Sequence, residues 1–452
     1  MKAMKTTLAV LVLSIVAAGT TFSQELGLDS STTISVSDTG TASFTPGERL
    51  DGWWNLPLGT KGSVFQGSGH VGATIDLAAE TPELALNGDI DELKLSLVFP
   101  AIVPEMKSMT MEMGRLRIKD QLGFIVSHPA DGASLGFDYS ALRMTFQAGY
   151  TGLVLRNANS ISMSLYDQSV KTGEESWSGS SRLLALAQMT IPSLLKQSIN
   201  LSFVAQQDMN PADALIPQYT QVRDVSDPPK SGKLDSQYSS LEISGQIIPN
   251  LFYDTWFSYG SGQTLTWLSD AVSASGFSYQ YVPISSFLTG LSLDYYVPAL
   301  LGAAFNARFL YASGDADYTT ALEGNTVGKA TQFIPMTSTS LGAVFSPALS
   351  NLIVAEASGS VKPVAGQRLQ TGLKVLAFWR PTPAPLAVSG LAPGEDAAWL
   401  GFETDIYANY RILSDLGVSL STGVFLPAEE PNGAFADGSL QFSASIAMTL
   451  SM

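Results

Sequence analysis

The amino-acid sequence predicts an all-β fold, a single large antiparallel transmembrane β-barrel of about 16 or 18 strands that follows a cleaved signal peptide. Three observations lead to this prediction. Apolar residues alternate with small or polar ones in many segments, charged residues make up only 14% of the chain, and mean hydropathy is +0.17. No run of about 18 apolar residues follows the N-terminus, so membrane-spanning helices are not expected. Abundant apolar residues that are spread by alternation are typical of a wall between lipid and water.

Residues 1–23 have the features of a secretory signal peptide. Lys2 and Lys5 precede the apolar stretch Leu8–Ala18, and small residues before Ser23 suit cleavage after that position. The apolar stretch is too short to span a bilayer as a helix. The chain contains no Cys, so we expect neither a lipid anchor on Cys nor a disulfide framework. The sequence therefore predicts an exported protein.

The alternating pattern divides the mature chain into two parts. Residues 24–70 form a less regular N-terminal segment, which could supply the first strands of the barrel or a partial plug. Residues 71–452 are predicted to form the barrel, and the chain ends on Leu440–Met452, which alternates without any charge. Short stretches such as 182–189 fit a strand or a helix equally well. The clearest other strands are 142–150, 199–206, 241–247, 287–296, 303–311, 369–379, 400–410 and 417–425.

The connections between these segments are of two kinds. Short ones repeat a proline at the end of a strand, where proline interrupts the hydrogen-bond ladder and favours a turn. Long polar ones lie at 207–237, 313–329 and 427–438. Outer-membrane barrels have this asymmetry, with short turns toward the periplasm. Counting strands back from the C-terminus places one proline at the long-loop end, so either a strand between 350 and 399 is miscounted or the turns do not share a side. The five prolines are Pro100, Pro192, Pro249, Pro298 and Pro347.

The sequence offers little for catalysis. A G-x-G-x-x-G match at 67–72 precedes an alternating segment instead of a helix, so it lacks the setting of a dinucleotide site. A G-x-S-x-G match at 132–136 lacks a downstream His, because His70 and His128 are the only histidines. A zinc site built from His and Cys is excluded by their number. We therefore expect a protein that is not an enzyme and has no catalytic, cofactor or metal site.

The polar residues of interest are those on the inward face of the strands. A charge on the lipid face costs about 2–4 kcal/mol near the membrane centre, so charges within strands should face the lumen. Acids and bases facing each other there would create the transverse field of a pore constriction; alternatively, they pair and stabilise a narrow or plugged barrel. The predicted pore-lining residues are Arg143, Gln147, Glu242, Asp294, Asn306, Arg308, Lys374, Glu403, Asp405 and Asn409.

Several of these segments resemble a known family. Leu400–Arg411, Ser414–Leu416 and Gly423–Pro427 are similar to the C-terminal region of alginate-export-type porins, and Phe309–Asp315 resembles a strand-to-loop element of the same group. The proline turns and the acidic, Cys-free composition also resemble outer-membrane porins of spirochaetes. The resemblance implies a single-chain barrel with an aqueous lumen. Alginate exporters are expected to have an arginine-rich lumen and such barrels often end in an aromatic residue, whereas here inward acids equal or outnumber bases and the last residue is Met452.

These observations predict a bacterial outer-membrane porin for passive diffusion of small hydrophilic solutes or ions. The formal net charge of −16 favours cations in the pore and disfavours nucleic acid as a partner. The alternative is a surface protein with a closed lumen, whose long external loops act in adhesion or ligand binding. The expected partners are outer-membrane lipid, the permeating solutes, and the barrel-assembly and periplasmic chaperone machinery.

Overall fold

The computed structural model describes residues 25–451 with several gaps. The gaps are 39–41, 60–61, 80–81, 83, 157–158, 163, 165–166, 168–177, 211–231, 270–276, 317–327, 385, 387, 389 and 392–395. The predicted signal peptide, residues 1–23, lies outside the described residues, as does most of the loop at 207–237. Within the described part, no helix is both long and apolar enough to cross a membrane.

Eighteen strands build one sheet, in agreement with the predicted all-β barrel. The described residues of 25–70 lie in β1, in β2, in the first part of β3 and in the turn before it, and the ambiguous stretch 182–189 lies in a strand. A short 3-10 turn, Ala365–Gln367, lies between β14 and β15. The strands are β1 (Glu25–Asp38), β2 (Ala42–Pro57), β3 (Val64–Ile75), β4 (Leu84–Pro100), β5 (Met106–Lys119), β6 (Ser127–Tyr139), β7 (Arg143–Tyr150), β8 (Arg182–Leu194), β9 (Gln197–Asp208), β10 (Leu234–Ile248), β11 (Leu251–Ser269), β12 (Phe277–Val297), β13 (Ala303–Ala312), β14 (Leu352–Val361), β15 (Leu369–Trp379), β16 (Trp399–Arg411), β17 (Leu416–Pro427) and β18 (Gln441–Ser451).

The sheet closes on itself. Every strand pairs antiparallel with the next one in the chain, and β1 pairs with β18 from Asp29 opposite Ser451 to Asp38 opposite Phe442. The uncharged C-terminal segment therefore joins β17 to β1 and leaves no free edge at this seam. Closure matters in lipid because an open edge would present backbone groups without hydrogen-bond partners.

The two ends of the barrel differ. Connections such as 195–196, 249–250 and 412–415 form a short-turn end, where the first and last described residues, Glu25 and Ser451, also lie. The longer connections lie at the opposite, long-loop end. Pro100, Pro192, Pro249 and Pro298 all lie at the short-turn end, whereas Pro347 lies within the connection 313–351 at the long-loop end. The strand count between 350 and 399 is therefore correct, and the five prolines do not share a side.

The outer surface of the strands is apolar, as a lipid-facing wall requires. In the middle of β10, Leu241 is 40% exposed, whereas its neighbour Glu242 is 8% exposed because it faces the interior. Phe257, Leu291, Phe309 and Ile406 are exposed large apolar residues on other strands. Since alternate residues of a strand face opposite sides, the same strands place polar side chains inside.

The outward position of Leu241 gives a stability prediction. Leu241→Arg should lower the free energy of unfolding by about 2–4 kcal/mol, because it places a charge against lipid near the middle of a strand. Urea titration of the protein folded in phosphatidylcholine vesicles would measure this. Ser244→Arg is the control on the inward face of the same strand, where Asp254 lies opposite it on β11. Equal losses for the two variants would contradict the assigned faces.

The part of the β5–β6 hairpin nearest the long-loop end separates from the wall. β4 and β5 pair only from Leu93–Pro100 and Ser108–Arg115. Gly114 has a φ of 124°, and a Cβ there would lie 2.2 Å from the carbonyl oxygen of Leu93. Beyond this point the inward phase changes, and Leu116 and Ile118 are buried. The hairpin therefore joins the interior instead of continuing beside β4.

Arg115 spans the gap that this separation leaves. Its guanidinium pairs with Asp89 of β4 at 3.1 Å and with Asp131 of β6 at 2.9 Å. It also donates to the carbonyl oxygens of Ile90 at 3.1 Å and Leu153 at 3.0 Å. One partly buried cation thus connects β4, β6 and the connection after β7 where the sheet ladder is interrupted.

Candidate functional site

The barrel lumen is the candidate site, and chain segments from the long-loop end enter it. The described residues of three segments meet there, which we call the β5–β6 loop (120–126), the β7–β8 loop (151–181) and the lumen loop (328–351). The backbone N–H of Thr337 donates to the carbonyl oxygen of Ile125 at 3.1 Å, and the backbone N–H of Ser162 donates to the carbonyl oxygen of Met336 at 2.8 Å. The three loops therefore form one hydrogen-bonded structure inside the barrel.

This inner structure has an apolar core of its own. Phe124 comes from the β5–β6 loop, Ile161 from the β7–β8 loop, and Phe333, Met336 and Phe345 from the lumen loop, and all are buried in one cluster with inward residues of the wall. Since loops that pack apolar side chains against the wall occupy space that an open barrel would leave to water, they narrow the lumen.

The lumen loop is anchored to β15 and β16 by charged residues. The carboxylate of Glu403 accepts hydrogen bonds from the backbone N–H of Val344 at 2.9 Å and of Phe345 at 2.8 Å, and Glu403 is 0% exposed. Asp405 pairs with Lys374 at 3.0 Å, and Lys374 also donates to the carbonyl oxygen of Leu341 at 2.8 Å. Glu403, Asp405 and Lys374, three of the residues predicted to line the pore, thus hold the lumen loop against the wall.

Aromatic packing reinforces this anchor. The ring of Phe345 stacks on Phe425 of β17 with centroids 4.3 Å apart and an interplanar angle of 5°. It also meets the edges of Phe378 at 5.0 Å and Phe435 at 5.9 Å. A residue of the lumen loop is thus enclosed by rings from two strands and from the β17–β18 connection.

A second group of predicted residues lies on β12–β14. Arg308 forms an ion pair with Glu356, and its guanidinium lies 5.7 Å from the ring centre of Phe124. On the neighbouring positions Asn306 donates to Asp294 at 2.9 Å. The cation–π contact connects the wall to the β5–β6 loop.

The remaining predicted residues are separate from these groups. Arg143 is largely exposed beside Asp138, near the short-turn end, with 3.7 Å between the charged atoms. Gln147 donates to Ser134 at 3.4 Å. Asn409 is exposed and lies opposite Gln370 of β15. Glu242 faces a small pocket beneath the β5–β6 loop.

Asp120 is the first residue of the β5–β6 loop, and its carboxylate fixes the conformation of the loop backbone. Its carboxylate accepts hydrogen bonds from the backbone N–H of Gly123 at 3.1 Å, Ile125 at 3.1 Å and Val126 at 2.7 Å. Burial nevertheless raises the pKa of Asp120 above that of an ordinary carboxyl group. The folded state therefore retains this proton to a higher pH than the unfolded state does.

The raised pKa of Asp120 predicts a pH dependence with a definite sign. Since the folded state binds the proton more tightly, the contribution of Asp120 to the free energy of unfolding falls as the pH rises from about 4 through the raised pKa. Relative to Asp120→Asn, which does not titrate, the wild type should lose stability over this window. Urea titrations of both proteins at several pH values would measure the free energies of unfolding. A wild type that gains stability relative to Asp120→Asn as the pH rises would contradict the prediction.

The prediction from sequence missed Arg182. This residue is fully buried at the start of β8, where it pairs with Asp208 of β9 at 3.1 Å and with Asp167 of the β7–β8 loop. The apolar run after it hid the strand phase that would have turned Arg182 inward. Its arrangement links the wall to one of the inner loops.

A set of inward charges on β2–β5 was also missed. Lys94 pairs with Glu92 at 2.8 Å and with Glu112 at 3.0 Å, and Arg49 pairs with Asp51 at 2.6 Å. The charged residues of β4 are visible in the sequence. An extra residue near Asp91 shifts the register against β3, however, and so obscures which of these residues face inward.

One cluster has ligand types that suit a metal. Asp51, His70 and Asp91 place ligand atoms within 4.8 Å of one another. Each already has a protein partner: Nδ1 of His70 lies 2.8 Å from Asp91, and Asp51 pairs with Arg49. The contacts are those of a hydrogen-bonded ion-pair group.

Comparisons with known proteins give the fold. No protein-family model and no curated protein matches the chain, so the resemblance to alginate-export-type and spirochaete porins stays a prediction. Among solved structures, Pseudomonas aeruginosa OccK11 (OpdR) is similar with a TM-score of 0.52 and 12% identity, over 95% of this chain and 96% of that one. P. aeruginosa OccK5 (OpdH) has a TM-score of 0.52 and 11% identity over 95% and 98%, and P. aeruginosa OpdQ has 0.53 and 10% over 95% and 99%.

At these identities the likeness concerns the architecture alone. A closed barrel of 18 antiparallel strands with an apolar outer face and a polar inner face is that of a bacterial outer-membrane protein.

Proposed function

We propose that the protein is an outer-membrane channel for passive diffusion of small hydrophilic solutes or ions, with a mild preference for cations. The observation that carries the proposal is the excess of acids on the inward face of β10–β16. The inward acids are Glu242, Asp254, Asp294, Glu356, Glu403 and Asp405, whereas the inward bases are Arg308, Lys374 and, at the short-turn end of β16, Arg411. A lumen with excess negative charge concentrates cations and repels anions.

The size of the barrel supports a channel. Barrels of about 16–18 strands enclose enough space for an aqueous lumen. The inner loops narrow this lumen, which favours small solutes over large ones. The architecture is shared with the solved structures of OccK11, OccK5 and OpdQ. The predicted partners, outer-membrane lipid and the barrel-assembly and chaperone machinery, follow from an exported barrel, with residues 1–23 as its signal for export.

The proposal requires no catalytic residue, metal or cofactor. Its direct test is to refold residues 24–452, verify folding by heat-modifiable migration on a gel, and insert the protein into a planar bilayer. Discrete conductance steps are expected in potassium chloride. A folded and inserted protein without conductance would overturn the channel function.

The apolar core inside the barrel favours a second candidate, a surface protein with a closed lumen. In that case the packing of Phe333, Met336 and Phe345 would serve to fill the barrel, and the long external loops would act in adhesion or ligand binding. The same bilayer recording separates the two functions, because the closed barrel conducts no ions although it folds and inserts.

A further inference from the structure

A small pocket lies between the β5–β6 loop and the wall formed by β9–β11. Asp120 and Phe124 contribute to it from the loop, and Asn200, Glu242 and Trp256 contribute from the wall. The ring of Phe124 packs against Trp256 with centroids 5.6 Å apart, so the loop covers the pocket. None of the residues that anchor the lumen loop lines this pocket.

Two carboxyl groups lie on the same inward face of this wall. Glu242 of β10 and Asp254 of β11 are diagonal neighbours, since Trp256 lies opposite Glu242 and Ser244 lies opposite Asp254. Glu242 is 8% exposed, and its Oε2 has no hydrogen-bond partner among the described residues, nor has Oδ1 of Asp254. Two neighbouring carboxylates repel each other, and the burial of Glu242 removes water that would weaken this repulsion.

The surroundings add negative charge instead of compensating it. Asp120 and Asp294 act on this pair as further acids. None of the ion pairs between described residues includes Glu242 or Asp254, and the nearest inward base on the following strands, Arg308, is already paired with Glu356. Nε1 of Trp256 is also buried without a partner beside the pocket. The two unpaired carboxylate oxygens therefore mark an interior position where a positive charge is missing, and the N–H of Trp256 could donate to a water that the ion holds.

We propose that Glu242 and Asp254 bind a hard divalent cation, such as Ca²⁺, in the wall of the lumen. Hard divalent cations take carboxylate oxygens as ligands and complete their coordination with water. A divalent ion balances both carboxylates, whereas a monovalent ion balances one. Binding itself is independent of the proposed channel function, and any effect of the bound ion on conductance rests on it.

Terbium luminescence tests the site, because Tb³⁺ replaces Ca²⁺ at carboxylate sites and Trp256 lies close enough to transfer excitation to it. The refolded protein in detergent should show Tb³⁺ emission on excitation of tryptophan, and Ca²⁺ should displace it. Glu242→Gln and Asp254→Asn should each weaken Ca²⁺ binding about tenfold or more, since fewer charged ligands remain. Trp256→Phe should lose most of the emission but keep Ca²⁺ binding measured by calorimetry.

The matched control is Asp415→Asn, an acid in the exposed turn 412–415 at the short-turn end. It should bind Tb³⁺ as the wild type does. Emission that survives in both Glu242→Gln and Asp254→Asn, or Ca²⁺ binding that is undetectable by calorimetry in the wild type, would overturn the proposal.

A stability measurement guards against variants that do not fold. In EDTA, Glu242→Gln should be more stable than the wild type because the repulsion between the carboxylates is removed; Ca²⁺ should then raise the unfolding midpoint of the wild type only. An unchanged wild-type midpoint on adding Ca²⁺ would contradict the site without any variant. Since these measurements are made in detergent, they stand or fall separately from the bilayer recordings.

Discussion

Releasing the lumen loop from the wall is expected to increase single-channel conductance several-fold. The double variant Glu403→Ala/Phe345→Ala removes the carboxylate that accepts two backbone hydrogen bonds and the ring that packs on Phe425. Hydrogen bonds to a charged group contribute about 1.5–3 kcal/mol each, and truncation of a buried Phe costs about 3–5 kcal/mol. The summed loss is larger than the free energy that is expected to hold an irregular loop against the wall. The loop should therefore detach while the hydrogen-bond ladders between the strands persist.

The comparison is made in the planar bilayer with the wild type and a control. Phe257→Ala removes an aromatic residue of similar size from the outer face and should leave conductance unchanged. The folded state of each variant is verified by heat-modifiable migration. Equal conductance of the folded double variant and the wild type would show that the loop does not limit the passage of ions.

Arg182→Met is expected to destabilise the protein by about 3–5 kcal/mol, because it leaves two buried carboxylates without their cation. Arg182 is fully buried between Asp208 of β9 and Asp167 of the β7–β8 loop. Urea titration in vesicles measures the change in the free energy of unfolding. The triple variant Arg182→Met/Asp167→Asn/Asp208→Asn should recover most of the loss, since a neutral buried group costs far less than an unpaired charge.

A loss below about 1 kcal/mol for Arg182→Met, typical of exposed ion pairs, would contradict the buried role of this residue. A triple variant that is no more stable than Arg182→Met would assign the loss to side-chain packing instead of charge. Arg182→Lys is expected to lie between these cases, because a single ammonium cannot make the two-sided contacts of a guanidinium.

Much of the wall could be predicted because its physics is local. The alternating stretch 369–379 coincides with β15, and the uncharged C-terminal segment proved to be the closing strand β18. Alternation is imposed on each strand separately by lipid on one side and polar surroundings on the other, so it is visible without knowledge of the partner strands. The same argument placed Glu403, Asp405 and Lys374 on the inward face.

What these inward residues contact could not be predicted in the same way. Glu403 binds backbone groups of residues 344 and 345, about 58 positions earlier in the chain, and nothing periodic links the two segments. The apolar residues of the lumen loop follow neither a strand nor a helix period, because they pack as an irregular segment against several strands at once. Arg182 was hidden for a related reason, since the mixed run after it fits a strand or a helix.

The interior of this barrel therefore contains both charged side chains of the wall and loops that pack apolar side chains. Its inward acids are divided between those that hold loops, such as Glu403, and those without a base, such as Glu242 and Asp254. When no divalent cation is bound, the second group should determine ion selectivity, because its charge is not already neutralised within the protein.

The reversal potential across a potassium chloride gradient tests this most directly. The wild type is expected to select cations, and the variant Glu242→Gln/Asp254→Asn/Asp294→Asn should shift the reversal potential toward zero while it keeps conducting. A wild-type channel that selects anions, or a triple variant with an unchanged reversal potential, would contradict an ion path along the acidic wall of β10–β12.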